Sequence, residues 1–193
     1  APIREEAIYD GVRVVLTAYL GTMTIRLQVD VGYGDTIVPT AQCVEFPSLL
    51  TKSGPVLRAY TPETVVAEKF HAIALLGMAN SRMKDYFDIW MLSRNFSFDG
   101  WMLLRALENT FAKRGMRFPD SEPIGLTEEF SRNESKRMQW RGFVKRRKRQ
   151  ESIPDLQEIV AINKAFLMPV VCSKRPLAAH SMTWTASGGW MVN

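Results

Sequence analysis

Residues 60–92, YTPETVVAEKFHAIALLGMANSRMKDYFDIWML, hold two core-forming helical segments that also carry Lys69, Arg82, Lys84, Asp85 and Asp88. The first segment opens at Thr61, whose hydroxyl can accept a backbone N–H bond, while Pro62 supplies the preset φ of a first helical position. Val65, Val66, Phe70, Ile73, Ala74 and Leu76 then recur at helical spacing and describe a buried face. Gly77 and Asn80 stop this helix. Ser81 is the expected cap of a second helix, with Tyr86, Ile89, Trp90 and Leu92 on its apolar side. Arg82, Asp85 and Asp88 fall along one strip, and Lys84 lies one turn before Asp88. So much charge beside two core helices asks for an anionic ligand. The competing reading is a solvated face of i,i+4 pairs, each contributing about 0.3–0.5 kcal/mol.

Upstream, GVRVVLTAYL (11–20) and MTIRLQVDV (23–31) are β-rich runs joined by Gly21-Thr22, the pattern of an antiparallel hairpin. In the second run Ile25, Leu27, Val29 and Val31 alternate with Arg26, Gln28 and Asp30, which places Asp30 on the polar face near the strand's end. The following GYGD allows a sharp turn. Val44–Phe46 and Val56–Tyr60 read as further short strands.

Downstream the chain is helical. Trp101–Arg114 carries Leu103, Leu104, Leu107 and Phe111 behind an Asp99 cap, and Pro154–Leu167 carries Leu156, Ile159, Val160, Ile162 and Phe166 at the same spacing. RFPDSEPIG (117–125) is a connector. From Cys172 to Asn193 periodicity is weak, with Trp184 and Trp190 either docked on the body or mobile.

The net charge of +5 is local: Arg132–Arg149 holds nine Lys/Arg against Glu134, or +8, leaving −3 elsewhere. Cys43 and Cys172 lack a CxxC partner, which argues against zinc or a disulfide framework and for a reduced, cytoplasmic setting. His71 reads as a packing residue, and two histidines are too few for a metal cluster. No apolar run reaches the roughly 18 residues of a membrane span. No GxxxxGK[ST] loop points to a P-loop kinase.

PETVVAEKFHA (62–72) followed by NSRMKDYFDIW (80–90) resembles the paired AEK and RxKDxxD motifs of the AbiEii/AbiGii family, the nucleotidyltransferase-like toxins of type IV toxin–antitoxin and abortive-infection systems. IRLQVDVGYGDTIVP is similar to the family's strand with a late carboxylate. PDLQEIVAINKAFLMPV and the terminal W…GGW fit its C-terminal part. With the patterns above, the resemblance implies an α+β, nucleotidyltransferase-like fold: a short antiparallel β-hairpin and sheet portion followed by a mainly helical C-terminal domain. The expected divisions are 1–60 for the remaining β-rich core, 61–171 for the helical domain and 172–193 for an irregular tail.

The resemblance also implies transfer of a nucleotide from an NTP to RNA, with tRNA as the named candidate, Mg²⁺ as cofactor and a cognate antitoxin as partner. Under it Asp30, Lys69, Asp85 and Asp88 are catalytic candidates, and Asp30 is the metal ligand. Lys69, Arg82 and Lys84 are expected to bind the nucleotide. Arg137, Arg141, Lys145, Arg146 and Lys148 are expected to contact RNA phosphates, with Trp140 and Phe143 either stacking on bases or facing the core. The family's Gly-Ser helix start and Asp-x-Asp pair do not precede Asp30. The chain, starting at Ala1, therefore reads as a C-terminal portion whose enzymatic activity depends on those motifs being supplied. The alternative is a catalytically incomplete RNA- or protein-binding remnant.

Overall fold

Gly21 makes the turn between the two alternating runs at φ 59°, a region that glycine enters without Cβ strain. β1 (Gly11–Leu20) lies antiparallel to β2 (Met23–Gly32), with Val14 opposite Val29 and Leu16 opposite Leu27. Period-two alternation gathers these apolar side chains on one face, yet Leu16 and Leu27 remain exposed. Two strands alone cannot bury a sheet face.

The computed structural model describes residues 11–34, 37–49, 53–147, 153–173, 181–186 and 188–192 of the chain. It divides into two units, Ala1–Thr36 and Ile37–Asn193. The fold is α+β, with short antiparallel sheets and six α-helices among the described residues. None of these helices is long and apolar enough to cross a membrane.

The second unit begins with β3 (Gln42–Glu45) paired to β4 (Val56–Ala59). α1 (Pro62–Leu76) follows the expected cap: Thr61 Oγ1 accepts from Thr64 N, and Thr64 Oγ1 donates to Val38 O at 3.0 Å. Val66, Ala67, Phe70, His71 and Ile73 are all buried, so α1 is enclosed on most of its circumference. It ends at Gly77, whose φ of 46° again suits glycine. α2 (Met83–Asn95) starts differently from expectation. Ser81 is exposed and is not the cap; the Arg82 N–H instead donates to Asn80 Oδ1 at 2.8 Å, because Asn80 is wholly buried beneath the turn.

β5 (Phe98–Asp99) leads into α3 (Gly100–Lys113), capped by Asp99 as expected, with Met102 N donating to its carboxylate at 2.8 Å. α4 (Glu128–Arg132), α5 (Glu134–Lys145) and α6 (Leu156–Val171) complete the helical set. Tyr86 Oη donates to Gly125 O at 3.0 Å, and a Cβ on Gly125 would stand 2.7 Å from the Ile73 side chain. Only glycine permits that approach.

The tail expected to be irregular contains two strands. β6 (Met182–Thr185) pairs with β5 and with β7 (Gly189–Val192). Trp184 Nε1 donates to Ser93 O at 2.7 Å, and Trp190 Nε1 to Phe166 O at 2.8 Å, while both rings pack on Phe166. Trp184 is buried and Trp190 partly so, and each indole satisfies its donor. Strands this short carry too few alternations to announce themselves in sequence.

Between α1 and α3, Arg114 ion-pairs with Glu68 and its Nη1 lies 3.0 Å from His71 Nδ1. A guanidinium has only donors, so Nδ1 accepts and the imidazole proton sits on Nε2. Burial holds the His71 pKa below 6.5. The unfolded chain therefore binds this proton first as pH falls, and stability is lost from about pH 6.5 down through the folded value. Thermal melts between pH 7.5 and 5 should show that decline in the wild type and a flatter profile in His71→Gln; parallel profiles would remove His71 as the cause.

Candidate functional site

Lys69 on α1 reaches across to α2, where its ammonium sits 2.8 Å from Asp88 Oδ2 and 3.4 Å from Asp85 Oδ1. Asp85 is only 3% exposed. A buried carboxylate needs compensation, and Arg82 supplies more of it, with Nε 2.7 Å from Asp85 Oδ2 in a close ion contact. Lys84, one turn before Asp88, ion-pairs with that carboxylate. The Lys69 side chain is largely buried, whereas those of Arg82 and Lys84 are 51% and 63% exposed. Lys69 therefore neutralises the carboxylates from within, and the other two cations keep donors facing outward.

Lys136 of α5 extends this network from below. Its Nζ donates to Asn80 O at 2.7 Å and lies over the Phe130 ring, although the residue is only 6% exposed. Burial lowers its pKa. One face of Asn80 thus receives Lys136, while its side chain receives the Arg82 N–H, so α5 is tied to the turn that starts α2.

Between these elements lies a cavity of about 470 Å³, lined from the α2 side by Arg82, Lys84 and Asp85, and from the α5 side by Gly142, Phe143 and Arg146. Its size falls within the ~300–1,000 Å³ of small-molecule sites. Three cations face one carboxylate there, and the positive end of the α2 dipole points the same way. Two of these cations are already paired within the protein, Arg82 with Asp85 and Lys84 with Asp88.

The rest of α5 divides by helical phase. Trp140 is 3% exposed and its Nε1 donates to Pro154 O at 3.0 Å, so of the two alternatives its ring takes the core. Phe143 packs on Phe87 and Trp140, and Arg147 lies over its ring. Arg137 and Arg141 both pair with Glu134 on the outer side, and Lys145 is exposed. Lys148 lies outside the described residues.

Asp30 belongs to the first unit. Its partner is Arg13 across the hairpin, with Nε–Oδ1 at 2.7 Å and Nη2–Oδ2 at 2.9 Å, rather than its neighbour Arg26. Gln28 donates to the same carboxylate. The Arg13 hydrogen bonds hold the Asp30 pKa below its usual value. Both oxygens are thus engaged, and among the described residues no three His, Cys, Asp or Glu side chains cluster as metal ligands. Asp30 as placed does not fit a Mg²⁺ site.

Of the expected site residues, then, Lys69, Arg82, Lys84, Asp85 and Asp88 come together, Arg146 joins them at the cavity, and Asp30 is held in its own ion pair. Asn80, Lys136 and Gly142 escaped the sequence reading. A signal existed for Lys136, which stands one helical turn before buried Trp140 and therefore on the core face of α5.

Residues 1–162 match the family model described as Nucleotidyl transferase AbiEii toxin, Type IV TA system. No curated protein and no solved structure matches the chain.

Two substitutions test the network. Lys69→Met leaves Asp85 and Asp88 short of a buried cation and should destabilise the protein by about 3 kcal/mol, read by urea unfolding. Lys136→Met orphans the buried Asn80 carbonyl and should cost about 1–3 kcal/mol, with Lys136→Arg recovering part of it. Losses below about 0.5 kcal/mol, the range of ordinary surface substitutions, would show that the respective contact is not a structural tie.

Proposed function

Because the chain belongs to the AbiEii family of nucleotidyl transferase toxins of type IV toxin–antitoxin systems, we propose that the α2–α5 cavity binds the triphosphate of an NTP whose nucleotide is passed to an RNA end, tRNA being the substrate class. Support comes from one observation above all: Arg82, Lys84 and Arg146, from two helices, face a single cavity beside the N-terminus of α2. Arginine guanidinium matches phosphate oxygens bidentately, and lysine adds a mobile point charge. Asp85 holds the Arg82 guanidinium, and Lys69 pairs with Asp85 and Asp88 from the inner side, away from the cavity donors.

The reaction needs an RNA hydroxyl in line with the α-phosphorus. A new P–O bond forms to the RNA as the bond to pyrophosphate breaks, so the work of the site is positioning and charge stabilisation. Arg82, Lys84 and Arg146 stabilise the charge that develops on the departing pyrophosphate. Mg²⁺ is the ion such chemistry commonly uses; Asp30, engaged by Arg13 and Gln28, does not hold it as placed. Arg137, Arg141 and Lys145 extend the positive surface along α5 for RNA phosphates. Membership in a toxin–antitoxin family brings an antitoxin as partner, and the reading places both in the cytoplasm.

A second reading has one observation in its favour. Asp30, Asp85 and Asp88, the carboxylates expected to be catalytic, are all ion-paired, and in this reading they are structural and the chain serves to bind RNA or protein. Incubation of the chain with RNA and α-labelled NTPs separates the two. The transferase reading expects labelled RNA, reduced at least about tenfold, or ~1.4 kcal/mol, in Arg82→Ala and in Lys69→Met. Salt-sensitive RNA binding without label, unchanged by either substitution, would replace it with the binding-only reading.

A further inference from the structure

Gly142 stands inside α5, where helix propensity disfavours glycine more than any residue except proline. Two ordinary reasons for such a glycine fail. Its φ is not among the positive values that would exclude a side chain, and a Cβ built at this position meets nothing within 4 Å. Neither the backbone nor packing against the protein asks for it. What Gly142 does adjoin is the cavity that Arg82 and Lys84 also line, next to Phe143.

The lining is polarised. Arg82, Lys84 and Arg146 supply the cationic part, whereas Gly142 and Phe143 supply a less polar stretch of α5 with Gln139 one turn before them. Phe143 is held in place by Phe87 at 5.7 Å, by Trp140 at 5.4 Å and by the Arg147 guanidinium at 4.8 Å, all to ring centroid. A ligand that matches both parts has a polyanionic head and a flat, weakly polar body. Inorganic phosphate has only the head.

We infer that Gly142 is the contact floor for the ribose and base of an NTP, which lie against the α5 backbone beside Phe143 while the phosphates meet Arg82, Lys84 and Arg146. This inference rests on the nucleotide reading proposed above. It makes Gly142 a position that determines whether the nucleoside half fits: any side chain there occupies open volume that the protein leaves unused. A residue kept for access in this way lowers helix stability, and replacing it trades binding for stability.

Calorimetric titration of the full chain with tripolyphosphate and with each common NTP tests this, alongside thermal melts of wild type, Gly142→Ala, Gly142→Leu and Arg82→Ala. Gly142→Ala and Gly142→Leu should melt no lower than wild type, since both residues favour the helix. Gly142→Leu should weaken NTP binding about tenfold or more while changing tripolyphosphate binding less than about twofold; Gly142→Ala should fall between wild type and leucine. Arg82→Ala should weaken both ligands. If Gly142→Leu binds NTP as wild type does while Arg82→Ala loses it, the floor assignment is wrong and the phosphate site stands. Wild-type protein that binds tripolyphosphate as tightly as any NTP would likewise remove a nucleoside contact. No affinity for either ligand would overturn the floor together with the nucleotide reading.

Discussion

A carboxylate buried to 3% exposure at Asp85 sets the terms for the second unit. Burial of an isolated charge costs several kcal/mol, so Asp85 dictates where cations must be. Lys69 comes from α1 and Arg82 from the residue that starts α2, so a single compensation problem ties the two helices and fixes a guanidinium at the cavity. The same tie explains why Lys69 is largely enclosed although lysine usually extends to solvent. Asp88 shares Lys69 with Asp85 and takes Lys84 from the surface, which closes the network.

α5 serves two surfaces at once. Its inner face sends Trp140 into the core and Lys136 beneath the Asn80 turn, and its outer face carries Arg137 and Arg141, both already shared with Glu134. Arg146, at the end of the helix, faces the cavity beside Arg82. A run of cations that looks uniform in composition is thereby partitioned by a 100° step per residue into a buried tie, a solvated stripe and a site residue.

Much of this was legible because it is local. The Thr61 and Asp99 caps, the Gly77 stop, the Gly21 turn and the apolar face around Phe70 and Ile73 follow from periodicity and from residues with narrow conformational preferences. The AEK and RxKDxxD spacing likewise marked the residues that meet between α1 and α2. Three features stayed hidden for particular reasons. Ser81 has the side chain of a cap, yet the Arg82 N–H goes to Asn80, and only the burial of Asn80, held by Lys136, decides this. The strands around Trp184 and Trp190 are too short for a period to emerge, and their hydrogen bonds go to Ser93 and Phe166, far away in sequence. Gly142 is silent in sequence because an unneeded helical glycine becomes visible only when the space around it is known.

By itself, the amino-acid order determined the α+β class, the hairpin with Asp30 on its polar face, the helices and their core faces, and the charged residues available at the seam of α1 and α2. These depend on interactions within a few positions of the chain, where backbone geometry fixes which side chains share a face. Tertiary structure alone decided that Asp30 is claimed by Arg13, that Lys69 is an inward counterion rather than an outward one, and that Arg146 and Gly142 line one cavity with Arg82. Each of these is settled by which distant group arrives to compensate a charge or leaves a space unfilled, and desolvation and packing are properties of the assembled chain.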